Sequence, residues 1–445
     1  MGSPATGDRI LAHGIGGAKD LPIPLELAIA GAVAALVISF TVLAIAWRTP
    51  RYDAATSGRP APEWLDRLTS STPWRVWWRV FGMAALLYVG WAAVAGKDSL
   101  INPFLGVFYV YVWVAIVPLS VFFGPVWKAI SPSRTINLLL ARASGGDPST
   151  GLYTYPARLG YWPAAVGLFA FVWLELVYPY STQVGPVRLW CAAYLGIMLI
   201  GGALFGDRFF ERADPFEVYS SLAAKLSIWG HRDGRLLVRS PLANLDSLVA
   251  APGLVGVVSV LFGSTAFDSF KDSTPWVKFI QSTDLSVDLL DNLALLGFCV
   301  GVGLVLAAGT MATGVGEGVD RRTLPDVFAH SVVPIIVGYI VAHYLTYLVE
   351  YGQTTLTQLS DPMSRGDNLL GTADLTVNYW LSYHPTFLAR LKVVAVVVGH
   401  VLGVIAAHDR AIRLLPAKHQ LTGQLPLLFA MVGFTAGGLY LLFAA

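Results

Sequence analysis

The chain has 445 residues, of which 55% are hydrophobic and 13% charged, and its formal net charge is +2. Soluble domains carry about 25% charged residues, so the composition excludes an ordinary soluble globular protein and points to the lipid bilayer as the chain's main partner. Near-neutral charge excludes a strongly basic, nucleic-acid-binding surface.

A spanning helix needs about 20 mostly apolar residues. By that rule the chain reads as an all-α, polytopic transmembrane helical bundle, a single integral membrane domain over residues 1–445. Ten spans are expected, at roughly 24–47, 79–96, 104–124, 160–180, 187–206, 249–266, 292–314, 327–350, 389–409 and 424–444. Residues 1–23 form an outer segment without the apolar core of a signal peptide, so span 1 is expected to insert itself. If the N-terminus is outside, the inner segments and helix ends hold 21 of the 30 Lys and Arg. Positive residues are retained on the cytoplasmic side, so both termini are expected to be extracytoplasmic. The Trp residues agree, with Trp74, Trp77, Trp78, Trp127 and Trp162 at inner helix ends and Trp190, Trp276 and Trp380 at or beyond outer ones.

Between the spans, Ser131–Ala143 and Pro215–Trp229 mix an apolar stripe with basic residues and read as helices lying on the inner surface. Cys191 and Cys299 sit inside spans 5 and 7 without a Cys-x-x-Cys pattern and read as buried small hydrophobes, with paired ligands as the alternative. The outer loops Phe267–Asp291 and Tyr351–Leu388 are the longest on their side, and the second has the composition of a lid. Ten spans divide into five and five. Span 3 carries Pro118 and span 8 carries Pro334, the third helix of each half, as in transporters with inverted repeats and broken helices.

His343 and His400 each lie inside an apolar span, where a polar side chain is expensive and usually marks a site. Imidazole exchanges protons near neutral pH and binds transition metals. With about 1.5 Å of rise per residue, His343 lies about 10 Å, His400 about 16 Å and Glu175 about 8 Å below the outer surface. Tyr339, His343, Tyr347 and Glu350 share one face of span 8. Asp291 opens span 7 on the outer side, and His13 and Asp20 precede span 1 close enough to fold over the mouth. His343, His400, Glu175, Glu350, His13, Asp20 and Asp291 are therefore the candidate ligands of a divalent transition metal, zinc or copper. Each residue alone is better explained by a hydrogen bond to a neighbouring helix; together, at similar depth, they point to metal or proton chemistry. A single haem between His343 and His400 is a further alternative, whereas two stacked haems do not fit the spacing of the His pairs. His330 and His408 read as helix-end contacts near the inner surface, and His231 as part of a solvated turn. The chain holds no Walker loop, G-x-S-x-G elbow or H-E-x-x-H motif.

Ala12-His13-Gly14 with Asp20-Leu21-Pro22-Ile23-Pro24, then Ala329-His330-Ser331, Gly338-Tyr339 and Ala342-His343-Tyr344, then Gly399-His400 and Ala407-His408-Asp409-Arg410-Ala411, resemble a family of bacterial multi-pass membrane proteins. Some of its members are catalogued as fenitrothion hydrolase. The resemblance, which also touches Asp361-Pro362 and Asp367 with Leu370-Gly371-Thr372, implies the plasma membrane of a bacterium and a similar topology. It also implies hydrolysis of apolar phosphotriester-like substrates, for which a metal-bound hydroxide would be the nucleophile. The alternative function is a metal-ion or proton-coupled transporter, alone, as a homo-oligomer or with a partner subunit. The topology predicts that reporters fused to the C-terminus are active only outside the cytoplasm; a cytoplasmic C-terminus would contradict the 21-of-30 basic asymmetry.

Overall fold

A computed structural model describes residues 18–316, 318–416, 419, 420 and 422–444. Among the described residues, nine helices are long and apolar enough to cross a membrane. They are span 1 (Leu25–Ala46), span 2 (Thr72–Ala95), span 3 (Pro103–Phe123), span 5 (Val184–Phe205), span 6 (Leu254–Lys271), span 7 (Val287–Met311), span 8 (within Arg321–Leu359), span 9 (Pro385–Leu414) and span 10 (Thr422–Phe443). The expected span 4 is the apolar helix Trp162–Leu176, only 15 residues long and so about 22 Å.

Loop contacts show that span 4 nevertheless runs from one end of the bundle to the other. At its start, Tyr161 N donates to Pro252 O at 2.7 Å, beside the start of span 6. Beyond its end, the Tyr109 hydroxyl donates to Ser181 O at 2.8 Å, and Val184 N donates to Asp98 Oδ1 at 2.8 Å. The first of these ends gathers the basic loops. There Asp246 accepts from Ala54 N and pairs with Arg410 and Arg413, and His408 joins Trp47 O and the Gln424 side chain. Over the described residues the chain thus alternates between two faces through the nine long helices and the shorter span 4, and it is an all-α polytopic bundle. Apolar side chains such as Ile38, Val42, Ile45 and Leu304 point outward from it, as lipid contact requires.

The basic face differs from expectation in two ways. Pro215–Ala223 does not lie on the surface; Phe216, Glu217, Val218, Tyr219, Ser220 and Leu222 are all buried, packed against Ile116–Phe123 and Trp162–Leu176. It is held there by polar groups: Asp214 caps its first turn, accepting from Phe216 N and Glu217 N, and Ser220 Oγ meets Ser120 Oγ at 2.8 Å. The helix Pro132–Ala143 forms as expected, with its apolar side outward and its polar side against the bundle. It buries Ser133, Thr135 and Asn137 and exposes Leu139 and Leu140. Its Arg134 reaches inward, with Nε and Nη2 on the two Glu217 carboxylate oxygens at 2.5 and 2.7 Å and Nη1 on Asp207 Oδ1 at 2.6 Å. Finally, His231 lies on a strand rather than in a turn. Strands β1 (Arg59–Pro60), β2 (Trp229–Arg232) and β3 (Arg235–Val238) form a small antiparallel sheet in the order β1-β3-β2. The β2–β3 turn is Asp233-Gly234, both with positive φ, the backbone that a two-residue hairpin demands.

Spans 8 and 9 pack backbone to backbone. A Cβ at Gly399 would lie 2.5 Å from Pro334 O, and one at Gly338 2.5 Å from Ala395 O. Small residues let backbones approach in this way, and close packing then holds the helices without a solvent-driven hydrophobic effect. Gly399→Ala is expected to cost about 1–3 kcal/mol through overpacking. Gly297→Ala, whose Cβ would meet nothing within 4 Å, should be close to neutral. Thermal unfolding in detergent distinguishes the two, and equal melting shifts would contradict the contact.

Candidate functional site

The polar centre is built on span 6. Its last turns carry Ser264, Thr265, Asp268 and Ser269, all buried. Asp268 was expected in an outer loop, because the apolar run ends near residue 266; the helix instead continues to Lys271 and carries the carboxylate into the bundle, 1% exposed.

Span 8 presents the complementary groups. His343 Nε2 lies 2.9 Å from Asp268 Oδ2, and the Tyr344 hydroxyl donates to the same oxygen at 2.8 Å. Lys271 Nζ lies 2.9 Å from Asp268 Oδ1. On the other side of the imidazole, Ser269 Oγ is 3.1 Å from His343 Nδ1 and 3.0 Å from the Tyr339 hydroxyl. An ionised carboxylate only accepts, so the consistent assignment has Nε2–H donating to Asp268. Nδ1 then accepts from Ser269, and Ser269 accepts from Tyr339. This forms a directed hydrogen-bonded chain from Tyr339 to Asp268. Glu175 of span 4 lies within electrostatic reach of Asp268 and Lys271, and the Tyr109, Tyr219, Tyr344 and Tyr347 phenols surround it closely enough to feel its charge. Its Oε2 is buried without a hydrogen-bond partner.

The remaining candidates separate. His400 is fully buried, with Nδ1 2.8 Å from Val396 O of its own helix and Nε2 without a partner. The contacts of Gly338, Gly399 and Gly403 fix how spans 8 and 9 align. They set His400 level with Pro334 and Ile335, about 11 Å along the bundle from His343. The two imidazoles are therefore not at matching depth. That offset is too long for one metal or one haem iron, whose ligand bonds are about 2 Å. Glu350 accepts from Ser382 N and Oγ, and Asp291 accepts from Trp276 Nε1 at 3.2 Å; both tie loops down. Asp20, in the turn Ala18–Asp20, acts on the charge of Lys392, which is buried in span 9. His13 lies outside the described residues. Among the described residues, no group of three or more His, Cys, Asp or Glu is arranged to hold a metal ion.

His330 and His408 make helix-end contacts, though in buried positions rather than solvated ones. His330 reaches Val327 O and Ala406 O, and His408 ties the end of span 1 to the start of span 10. The two proline-bearing spans share a further irregularity: Val107–Ala115 of span 3 and Tyr347–Tyr351 of span 8 are π-helical and pack against each other. The Tyr111 hydroxyl donates to Gly352 O at 2.6 Å across this contact. In span 3 the π-helix precedes the proline and in span 8 it follows it, so the two irregularities are not equivalent positions of an inverted repeat. π-Helical turns concentrate at functional sites, and this pair lies beside Tyr109 and Tyr347 near Glu175. No protein family, characterised protein or solved structure matches the chain.

Asp268 was the residue missed by sequence reasoning. Its signal is the polar stripe Ser264, Thr265, Asp268, Ser269 at helical spacing, with Lys271 one turn on. Asp268→Ala strands the charge of Lys271 and the donors of His343 and Tyr344, and is expected to cost about 3–5 kcal/mol. Glu175→Gln is isosteric and surrenders no partner at Oε2, so its cost should stay within about 1 kcal/mol. Denaturant or thermal unfolding that ranks them in the opposite order would contradict the arrangement.

Proposed function

We propose that the protein handles protons in a bacterial plasma membrane, as a proton-coupled carrier whose relay is Tyr339–Ser269–His343–Asp268, with Lys271 and Glu175 at its outer end. The reading is carried by one observation, the unbroken hydrogen-bonded chain that ends on the buried Asp268 carboxylate. Imidazole is the side chain whose charge changes between about pH 5 and 8. A His between a hydroxyl and a carboxylate can accept a proton on one nitrogen and release one from the other. Ionisable residues facing a bundle interior are the usual elements of proton relays in pumps and transporters. The adjoining π-helical segments supply irregular backbone next to Glu175, where a change in its protonation would be felt.

A metal-dependent hydrolase, the activity implied by the family resemblance, needs about three protein donors and an open position for water. Both nitrogens of His343 are engaged, and an ammonium sits on Asp268. The donor set fits a proton network better than a metal shell.

The test uses purified protein in liposomes containing a pH-sensitive dye, with a potassium gradient and valinomycin setting the potential. Intact protein should acidify or alkalinise the lumen according to the sign of the potential; Asp268→Asn and His343→Phe should reduce the rate at least tenfold, and Asp291→Asn should not. Infrared difference spectra between about pH 5 and 8 should show a carboxyl band that Asp268→Asn or Glu175→Gln removes. Absence of both flux and carboxyl band in the intact protein would return these residues to a structural role.

A further inference from the structure

The opposite, basic face holds a cavity of about 230 Å³ whose lining includes Lys128, Arg208, Arg212, Lys225, Glu211 and Glu217. Four cations against two acids is already asymmetric, and the pairing pattern sharpens it. Glu217 is committed to Arg134, which stands outside the lining. Glu211 is shared between Lys128 at 2.9 Å and Arg208 at 3.2 Å. Neither acid serves Arg212 or Lys225. Arg212 is 9% exposed, its guanidinium lies over the Tyr161 ring at 4.2 Å, and its Nη1 is buried with no hydrogen-bond partner. Lys225 Nζ donates to the neutral Ser247 hydroxyl at 2.7 Å.

A guanidinium and an ammonium that line one cavity without a carboxylate partner leave it electropositive. The arrangement is intelligible if an anion completes it. We infer that this cavity binds a phosphate-bearing anion, with Arg212 and Lys225 as its principal ligands and Lys128 and Arg208 at its margin. Guanidinium and ammonium together are the usual recognition pair for phosphate oxygens, the first directional and the second a point charge. Burial and the nearby Arg239 push the Lys225 ammonium down to about 8, a strain that a phosphate beside it would relieve. Val249 at the rim is 68% exposed and apolar, so the cavity borders a surface suited to acyl chains. The same chemistry therefore admits free phosphate or the headgroup of an anionic phospholipid.

Full-length protein in neutral detergent is titrated with inorganic phosphate by calorimetry. In parallel, its melting temperature is compared in nanodiscs of phosphatidylcholine with and without phosphatidylglycerol. Saturable phosphate binding identifies the free anion, and stabilisation by phosphatidylglycerol alone identifies the headgroup; either supports the site. Arg212→Gln should weaken whichever binding is found at least tenfold. Val249→Glu places an opposing charge at the exposed rim without touching the buried network and should weaken it comparably. Arg235→Gln, on the exposed end of β3, should leave it unchanged. No saturable response to either anion, or an undiminished response in Val249→Glu, overturns the inference.

Discussion

A carboxylate that sits inside a membrane bundle dictates what surrounds it. Removing an ion from water costs several kcal/mol even after relaxation, so Asp268 is tolerable only because an ammonium, an imidazole and a phenol converge on it. Two of those groups come from span 8 and one from span 6 itself. Satisfying the charge therefore fixes the rotation of both helices and their vertical register. Glycines Gly338 and Gly399 then bring span 9 against the back of span 8, and the position of His400 follows from that contact.

The same constraint operates at the other end of the molecule. Arg134 and Glu217 bury a charge pair in side-on, two-bond geometry, and this draws Pro215–Ala223 into the interior. The molecule thus has a charged centre toward each face, with the aromatic packing of Trp113, Phe171, Phe216 and Tyr219 between them. Charged groups supply directional specificity here that apolar contacts alone would not, since lipid chains are as apolar as leucine.

Much of the architecture was legible because hydrocarbon imposes a simple length rule, and all ten expected spans correspond to helices. Span 4 was legible from its apolar content although its helix is short. The site was half legible: His343 and Glu175 stand out as costly residues in apolar runs, and the structure places both around Asp268. Asp268 itself did not stand out, since hydropathy ends a span where a polar stripe begins even when the helix continues. His400 was misjudged because distances from helix ends do not give the register between two helices, which the glycine contacts of spans 8 and 9 set. The surface helix Pro132–Ala143 was legible from its apolar stripe, but the inward reach of Arg134 was not, since its partners Asp207 and Glu217 lie far along the chain.

That long-range pairing of Arg134 has a consequence for how the protein is made. Arg134 leaves the ribosome 83 residues before Glu217. At typical synthesis rates of about 5–20 residues per second, it waits some seconds for its counter-ion. During that interval the polar side of Pro132–Ala143 has nothing to pack against, and the segment must rest at the headgroup level with its leucines in the acyl region. Closure of the basic face therefore waits for the arrival of that later segment.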